Sequence, residues 1–417
     1  MKVSSLVFLS LVIFCGIANA NLRGFATKEN PFPFTGSWFA EVPQIEDTLG
    51  FTAMLGESVI AAPFYTPESF ATNLNTGVVS EVTPALYFTS EIEGGKKWAF
   101  YGSPKDTTLG LLDYGNNSVA EFKNPELKVL STIFGLQALS EEKCLIYNSN
   151  ELIQIATNGF EFPKWTMTRG GIERIIPVVD NAFIALLSTT ETWPSTVYAP
   201  VAKFDETPKV YNLVGINPQE VLMVQGIPYV LGRNQNQNVT ILARPDIDTM
   251  TSQQIELHLG GNYLSTLVDC NGLYLYNGGD LISFDNELNV LWAKSVSFSS
   301  GINIEAAGVQ CVDEDRLFLG YTTGSTGTKQ SHFIFMFGAK GGDVTFYNEQ
   351  YDFRVQDTTV QVQATTSKIE EYTGIEFERG TMLFDTANGV TSLEFTNKGN
   401  VTLLSNDKET NVAGHAQ

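Results

Sequence analysis

The chain has 417 residues, 43% of them hydrophobic and 12% aromatic, and a formal net charge of −21. That much apolar material excludes an intrinsically disordered protein. A polyanion of this size repels nucleic acid and anionic lipid headgroups, so no nucleic-acid partner is expected.

The first twenty residues carry an export signal. Lys2 supplies a positive start, Leu6 to Ile17 an apolar run too short to span a bilayer, and Ala18-Asn19-Ala20 a small-x-small cleavage site. The expected mature chain begins at about Asn21. Residues 1–20 are therefore read as signal peptide and 21–50 as an N-terminal segment. Within the latter, Phe34 to Val42, with Trp38 and Phe39, is a candidate strand for closing a ring with the C-terminal unit. No later window holds ~18 consecutive apolar residues, so no membrane insertion is expected.

From residue 51 to 406 helical periodicity is nearly absent. Short runs of β-branched and aromatic residues alternate with Gly, Asn, Asp, Ser and Thr clusters, which reads as many short strands. One phrase recurs: strand, polar loop, strand, tight polar turn, strand. It appears at Lys97 to Phe122, Cys144 to Trp165, Gly272 to Trp292 and Thr381 to Leu404. The last residue before the turn marks each copy, giving Leu74, Tyr114, Ile155, Phe204, Ala243, Phe284, Phe337 and Phe395. Four of the gaps between markers are about 40 residues, the length of a four-stranded propeller blade. A sheet of that size cannot bury both faces alone, whereas radial stacking buries both and protects the edges. The expectation is an all-β propeller of eight blades, with seven as the alternative count and two sandwich domains as the alternative fold. Polar Tyr351 to Tyr372 reads as an insertion or crossover, and 407–417 as a disordered tail.

The stretch Leu281-Ile-Ser-Phe-Asp-Asn-Glu-Leu-Asn-Val-Leu-Trp292 resembles the repeat of quinoprotein-type (PQQ-like) β-propellers. Asp285 and Trp292 stand where that repeat has its strand-ending Asp and its Trp, and Trp165 recurs loosely. The turn is a residue short and the family's Thr-Gly is missing. The resemblance implies architecture only. No adjacent cysteine pair is present to carry the quinone-stacking disulfide of some members, and no cofactor is expected.

Sites are few. No Gly-x-Ser-x-Gly elbow occurs, and Gly324 to Lys329 misses phosphate-loop spacing and reads as a flexible loop. His258, His332 and His415 are scattered and read as structural. Asp246-x-Asp248 and Asp313-Glu314-Asp315 have calcium-type ligands without an EF-hand frame and read as turns. No catalytic, cofactor or metal residue is nominated. After signal removal Cys144, Cys270 and Cys311 remain. Cys270 and Cys311 end matching strands of neighbouring repeats, units six and seven, and form a candidate disulfide; Cys144 reads as a buried thiol. Asn116, Asn238 and Asn400 head glycosylation sequons. Loops such as Thr189 to Ser195, with Trp193 and Tyr198 flanking it, suit recognition. The expected function is a secreted or lumenal glycoprotein that binds a protein or glycan partner. The alternative is a lumenal carbohydrate-active or other hydrolase or lyase with acidic residues around a central channel.

Overall fold

The computed structural model describes residues 37–406, except 43–48, 56–57, 64–68, 92–95, 104–105, 114–117, 123–134, 141, 157–160, 179–181, 235–238, 260–264, 278, 299–302, 314–315, 325–330, 338–343 and 384–389. The expected signal peptide, Asn116, Asn238, His415 and the tail lie outside the described residues.

Every regular element among the described residues is a β-strand. After β1 (Trp38–Val42), the first unit holds β2 (Leu49–Leu55), β3 (Ser58–Pro63), β4 (Ser69–Asn73) and β5 (Val78–Thr83). The second holds β6 (Ala85–Glu91), β7 (Lys96–Ser103), β8 (Asp106–Asp113) and β9 (Ser118–Phe122). The third holds β10 (Gly135–Ala138), β11 (Lys143–Tyr147), β12 (Glu151–Ala156) and β13 (Glu161–Arg169). The fourth holds β14 (Gly171–Pro177), β15 (Phe183–Ser188), β16 (Thr196–Ala202) and β17 (Tyr211–Leu213). The fifth holds β18 (Asn217–Val224), β19 (Ile227–Arg233), β20 (Thr240–Asp246) and β21 (Thr251–His258). The sixth holds β22 (Thr266–Asp269), β23 (Leu273–Tyr276), β24 (Asp280–Phe284) and β25 (Val290–Ser297). The seventh holds β26 (Asn303–Asp313), β27 (Arg316–Gly324) and β28 (Ser331–Phe337), and β1 supplies its fourth strand by pairing antiparallel with β28.

Each unit is an antiparallel meander. Local turn chemistry sets the registers. Val224 pairs with Ile227 across a two-residue hairpin in which Gln225 (φ 50°) and Gly226 (φ 80°) are both left-handed. That is the turn whose twist matches the strands it joins. At the turn after β4, Asn73 accepts the amides of Asn75 and Thr76 on its side-chain oxygen.

The first strands of successive units touch in order, β2 to β6, β10, β14, β18, β22 and β26, and β26 touches β2 again. The arrangement is a propeller-like ring. The buried apolar clusters lie between consecutive units rather than within them. One joins units three and four through Trp165, Ile172, Phe183 and Val197. Another joins five and six through Tyr229, Leu242, Leu275 and Ile282. This explains strands such as β15, where Phe183 to Leu187 are all buried: both faces meet a neighbour. Each such side chain contributes roughly 1.5–3 kcal/mol.

The rest of the chain forms no eighth unit. It runs back around the ring against the order of the units and adds a fifth, outer strand to each sheet. After β29 (Phe346–Asn348), β30 (Phe353–Asp357) pairs with β25 of unit six. The long β31 (Gln361–Glu371) lies between β21 of unit five and β17 of unit four, merging them into a nine-stranded sheet. Then β32 (Glu376–Leu383) pairs with β13, β33 (Val390–Ser392) with β9, β34 (Glu394–Asn400) with β5 and β35 (Thr402–Asn406) with β1. One expectation is corrected here: the phrase Thr381 to Leu404 is spread over four different sheets. Of the two readings of Tyr351 to Tyr372, insertion or crossover, the crossover describes it, since β30 and β31 carry the chain from unit six to units five and four. The belt strands face outward, so their burial is poor: ten of the eleven residues of β31 are not buried.

Candidate functional site

The inner strands place one charged pair in the wall of the ring. On β14 and β18 the sequences Gly171-Ile-Glu-Arg-Ile-Ile and Pro218-Gln-Glu-Val-Leu interrupt apolar runs with charge. Each strand carries a bulge at that point, between Ile172 and Arg174 and between Pro218 and Glu220. A bulge adds one residue and re-aims its neighbours. It leaves Glu173 and Gln219 exposed and turns Glu220 inward, to 4% exposure. Similar bulges lie near the starts of β2, β6 and β26.

Arg174 Nη2 stands 3.5 Å from Glu220 Oε1. The contact is coulombic, since that oxygen makes no hydrogen bond. Burial pushes the Glu220 carboxyl up from 4.5 to about 7, against the opposing pull of Arg174 and the backbone amide of Leu267 on β22. One carboxyl thus ties the inner strands of units four, five and six. Facing a guanidinium and an amide, it is suited to holding blades together. The sequence signal was a Glu and an Arg at the same place in neighbouring inner strands, and it was missed.

Next to this wall, Cys270 follows β22 and Cys311 lies on β26. Their sulfurs are 2.13 Å apart and their Cα atoms 5.2 Å apart, bridging units six and seven. Cys144 is a buried free thiol, pushed well above its usual range by burial. Joining residues 41 apart in sequence restricts the unfolded chain by about 4 kcal/mol. The Cys270→Ser variant is expected to lose 2–4 kcal/mol in denaturant unfolding, where ~0 would mean that the bridge leaves the unfolded ensemble unconstrained.

The Thr189 to Ser195 loop is braced by hydrogen bonds. The Thr189 amide donates to Ser195 O (2.8 Å), its hydroxyl to Pro194 O (2.6 Å), and the Glu191 amide to the Thr189 hydroxyl (3.1 Å). From the belt, the Tyr372 hydroxyl donates to Glu191 Oε1 at 3.0 Å. Trp193 is half-buried on this loop. Tyr198, expected to flank the loop, is instead buried in the core between units four and five, because it points into the inter-blade gap of β16.

The remaining candidates stay apart. His258 is exposed at the end of β21, and His332 lies in β28 of another unit. Asp246 accepts the Asp248 and Thr249 amides and closes a tight turn, and the Thr249 hydroxyl first, then these amides, hold its carboxyl below the usual range. Asp313 ends β26 opposite Arg316, and 314–315 lie outside the described residues. Among the described residues no three His, Cys, Asp or Glu side chains converge, and no helix is long and apolar enough to cross a membrane. Asn400 is exposed at the end of β34, where its amide pairs with the Val78 row of unit one.

Asp285 accepts the Glu287 and Asn289 amides in the turn after β24. Trp292 lies on the fourth strand of unit six against Tyr274, as Trp165 lies on the fourth strand of unit three. The likeness to quinoprotein-type repeats is one of architecture.

No family model and no curated protein matches the chain. Among solved structures it is similar to Hsv2 of Kluyveromyces marxianus at 9% identity, covering 73% of this chain and 95% of that one with a TM-score of 0.35. Hsv2p of Kluyveromyces lactis matches at 9% identity, 73% and 95% coverage and a TM-score of 0.34. A form of the latter with loop 6CD replaced by a Gly-Ser linker gives 11% identity, the same coverage and 0.33. At this level of agreement the likeness carries no argument about what the chain does.

Proposed function

We propose that the chain is a secreted or lumenal glycoprotein acting as a seven-bladed binding scaffold for a protein or glycan partner. The observation that carries the reading is the braced Trp193 loop. A partly exposed indole on a loop already held by hydrogen bonds loses little freedom on docking, and such anchors dominate interface energy. The Cys270–Cys311 bridge suits an oxidising compartment. Exposed Asn400, ahead of Val401-Thr402, has room for a glycan.

The test is affinity purification of the mature chain from its native secretory fraction with mild crosslinking and mass spectrometry. A stoichiometric partner is expected, with recovery reduced about ten-fold or more by Trp193→Ala, the loss of one anchor of roughly 1.4 kcal/mol. The same spectra are expected to show an N-terminus at about Asn21 and a glycan on Asn400. A bare chain that begins at Met1 and returns alone would overturn the proposal.

A further inference from the structure

The belt does more than seal edges at unit five. Across one face of the adjacent strands β20, β21 and β31 lies an open cleft of about 540 Å³, lined by Arg244, Asp246, Thr251, Gln253 and, from the belt, Ala364 and Thr366. These residues lie in adjacent cross-strand rows: Asp246 opposite Thr251, and Arg244 opposite Gln253, which is in turn opposite Thr366. β31 supplies one side of that lining.

Its polar groups are fixed from outside. Arg244 Nη1 donates to Asn286 O at 2.6 Å and Gln253 Nε2 donates to Glu287 O at 2.8 Å. Both acceptors lie in the unit-six turn that Asp285 holds rigid through the Glu287 and Asn289 amides. The guanidinium has further donors beyond this one, and the carboxamide keeps its oxygen as an acceptor. Asp246 stays ionised through its hydrogen bonds with Thr249 and Asp248. The cleft therefore offers a planar cation, a planar anion, a planar amide and hydroxyls, with its two charges in balance.

We propose that this cleft binds a neutral saccharide chain. Vicinal hydroxyls each donate and accept, so they match the remaining guanidinium donors of Arg244, the second carboxylate oxygen of Asp246 and the carboxamide oxygen of Gln253. Small Ala364 leaves room for a ring. Local charge balance gives an ionic ligand no net attraction, and the chain's net charge of −21 repels anionic glycans. The inference rests on the binding-scaffold reading and assigns its glycan arm to a site away from Trp193.

Saturation-transfer NMR and calorimetry of the full mature chain with neutral hexaoses of glucose, mannose, xylose and N-acetylglucosamine test it. At least one is expected to bind, with Arg244→Ala weakening it about ten-fold, the worth of one or two hydrogen bonds. Because Arg244→Ala also cuts a tie to unit six, Thr366→Trp is the second variant: it fills the cleft from an exposed belt position and is expected to abolish binding with the unfolding midpoint unchanged. Binding that survives both variants, or no binding by any hexaose, overturns the inference. Partner capture through Trp193 would persist in that case, so failure of the cleft and failure of the scaffold reading are told apart.

Discussion

Replacing Glu220 with Gln is expected to stabilise the protein by roughly 3 kcal/mol at about pH 8 and to change it little at about pH 5. The carboxyl titrates near 4.5 in the unfolded chain and near 7 in the fold, because burial outweighs the Arg174 guanidinium 3.5 Å away. The sign follows from proton counting. Between those values the folded chain holds a proton that the unfolded chain has released, so stability falls as pH rises. The contribution is complete below about 4.5 and is lost as pH climbs through about 7. The amide of Gln imitates the protonated acid, can still accept from the Leu267 amide and leaves no buried charge to desolvate. Arg174 then loses its ionised partner, as it already does in the wild type at low pH. Thermal unfolding of both proteins across this range reads the effect as two curves that meet in acid and diverge in base. Parallel curves would show that another group carries the pH dependence. General repulsion among 46 acidic side chains has the same sign but is common to both proteins, so the difference isolates Glu220.

The ring was legible where pattern is local. Six of the first seven markers, Leu74 through Phe337, fall within two residues of the end of the third strand of a unit, and Ala243 falls in the middle of β20, since the blades repeat similar but not identical strand and turn lengths. Trp38 and Phe39 also lie in the strand that completes unit seven. The eighth marker, Phe395, failed because Thr381 to Leu404 has the same local rhythm while its partners are far away in sequence. Periodicity reports that a segment is a strand and does not report which edge it meets. A weaker signal was present. Core strands carry unbroken apolar runs such as Phe183 to Leu187, whereas β31 and β34 alternate thinly, with Thr, Gln, Lys and Glu between isolated apolar residues. Strands so poor in apolar residues could not have filled two inter-blade gaps. The Arg244 cleft was illegible for the same reason, being assembled across unit five and the belt from residues ordinary in their own strands, whereas the Glu220 pair left a trace in the charges that interrupt β14 and β18.

Phe353→Ala is expected to cost about 3–5 kcal/mol, the loss of a fully buried aromatic side chain. Phe353 is the point where the belt enters the core. Its ring stacks on Phe39 of β1 at 4.2 Å and 5°, and meets Phe298 at 4.9 Å and Phe335 at 5.2 Å. Those partners come from the N-terminal strand, from unit six and from unit seven, so one ring joins both ends of the chain to the closing seam. The belt's later strands hold by lighter contacts, such as Phe377 of β32 stacked on Trp165 at 4.6 Å. Half-buried Phe395 is accordingly expected to cost only about 1–2 kcal/mol on truncation to Ala. Denaturant unfolding measures both variants, and limited proteolysis reads the belt itself: Phe353→Ala should release C-terminal fragments faster, whereas Phe395→Ala should leave the early belt protected. Equal costs at the two positions would mean that the belt docks uniformly, without an anchor. An anchored belt fits the topology better. The strand β35 covers the edge of β1 opposite to the one that completes unit seven on β28, so the aromatic seam at Phe353 and the last belt strand both meet the N-terminal strand.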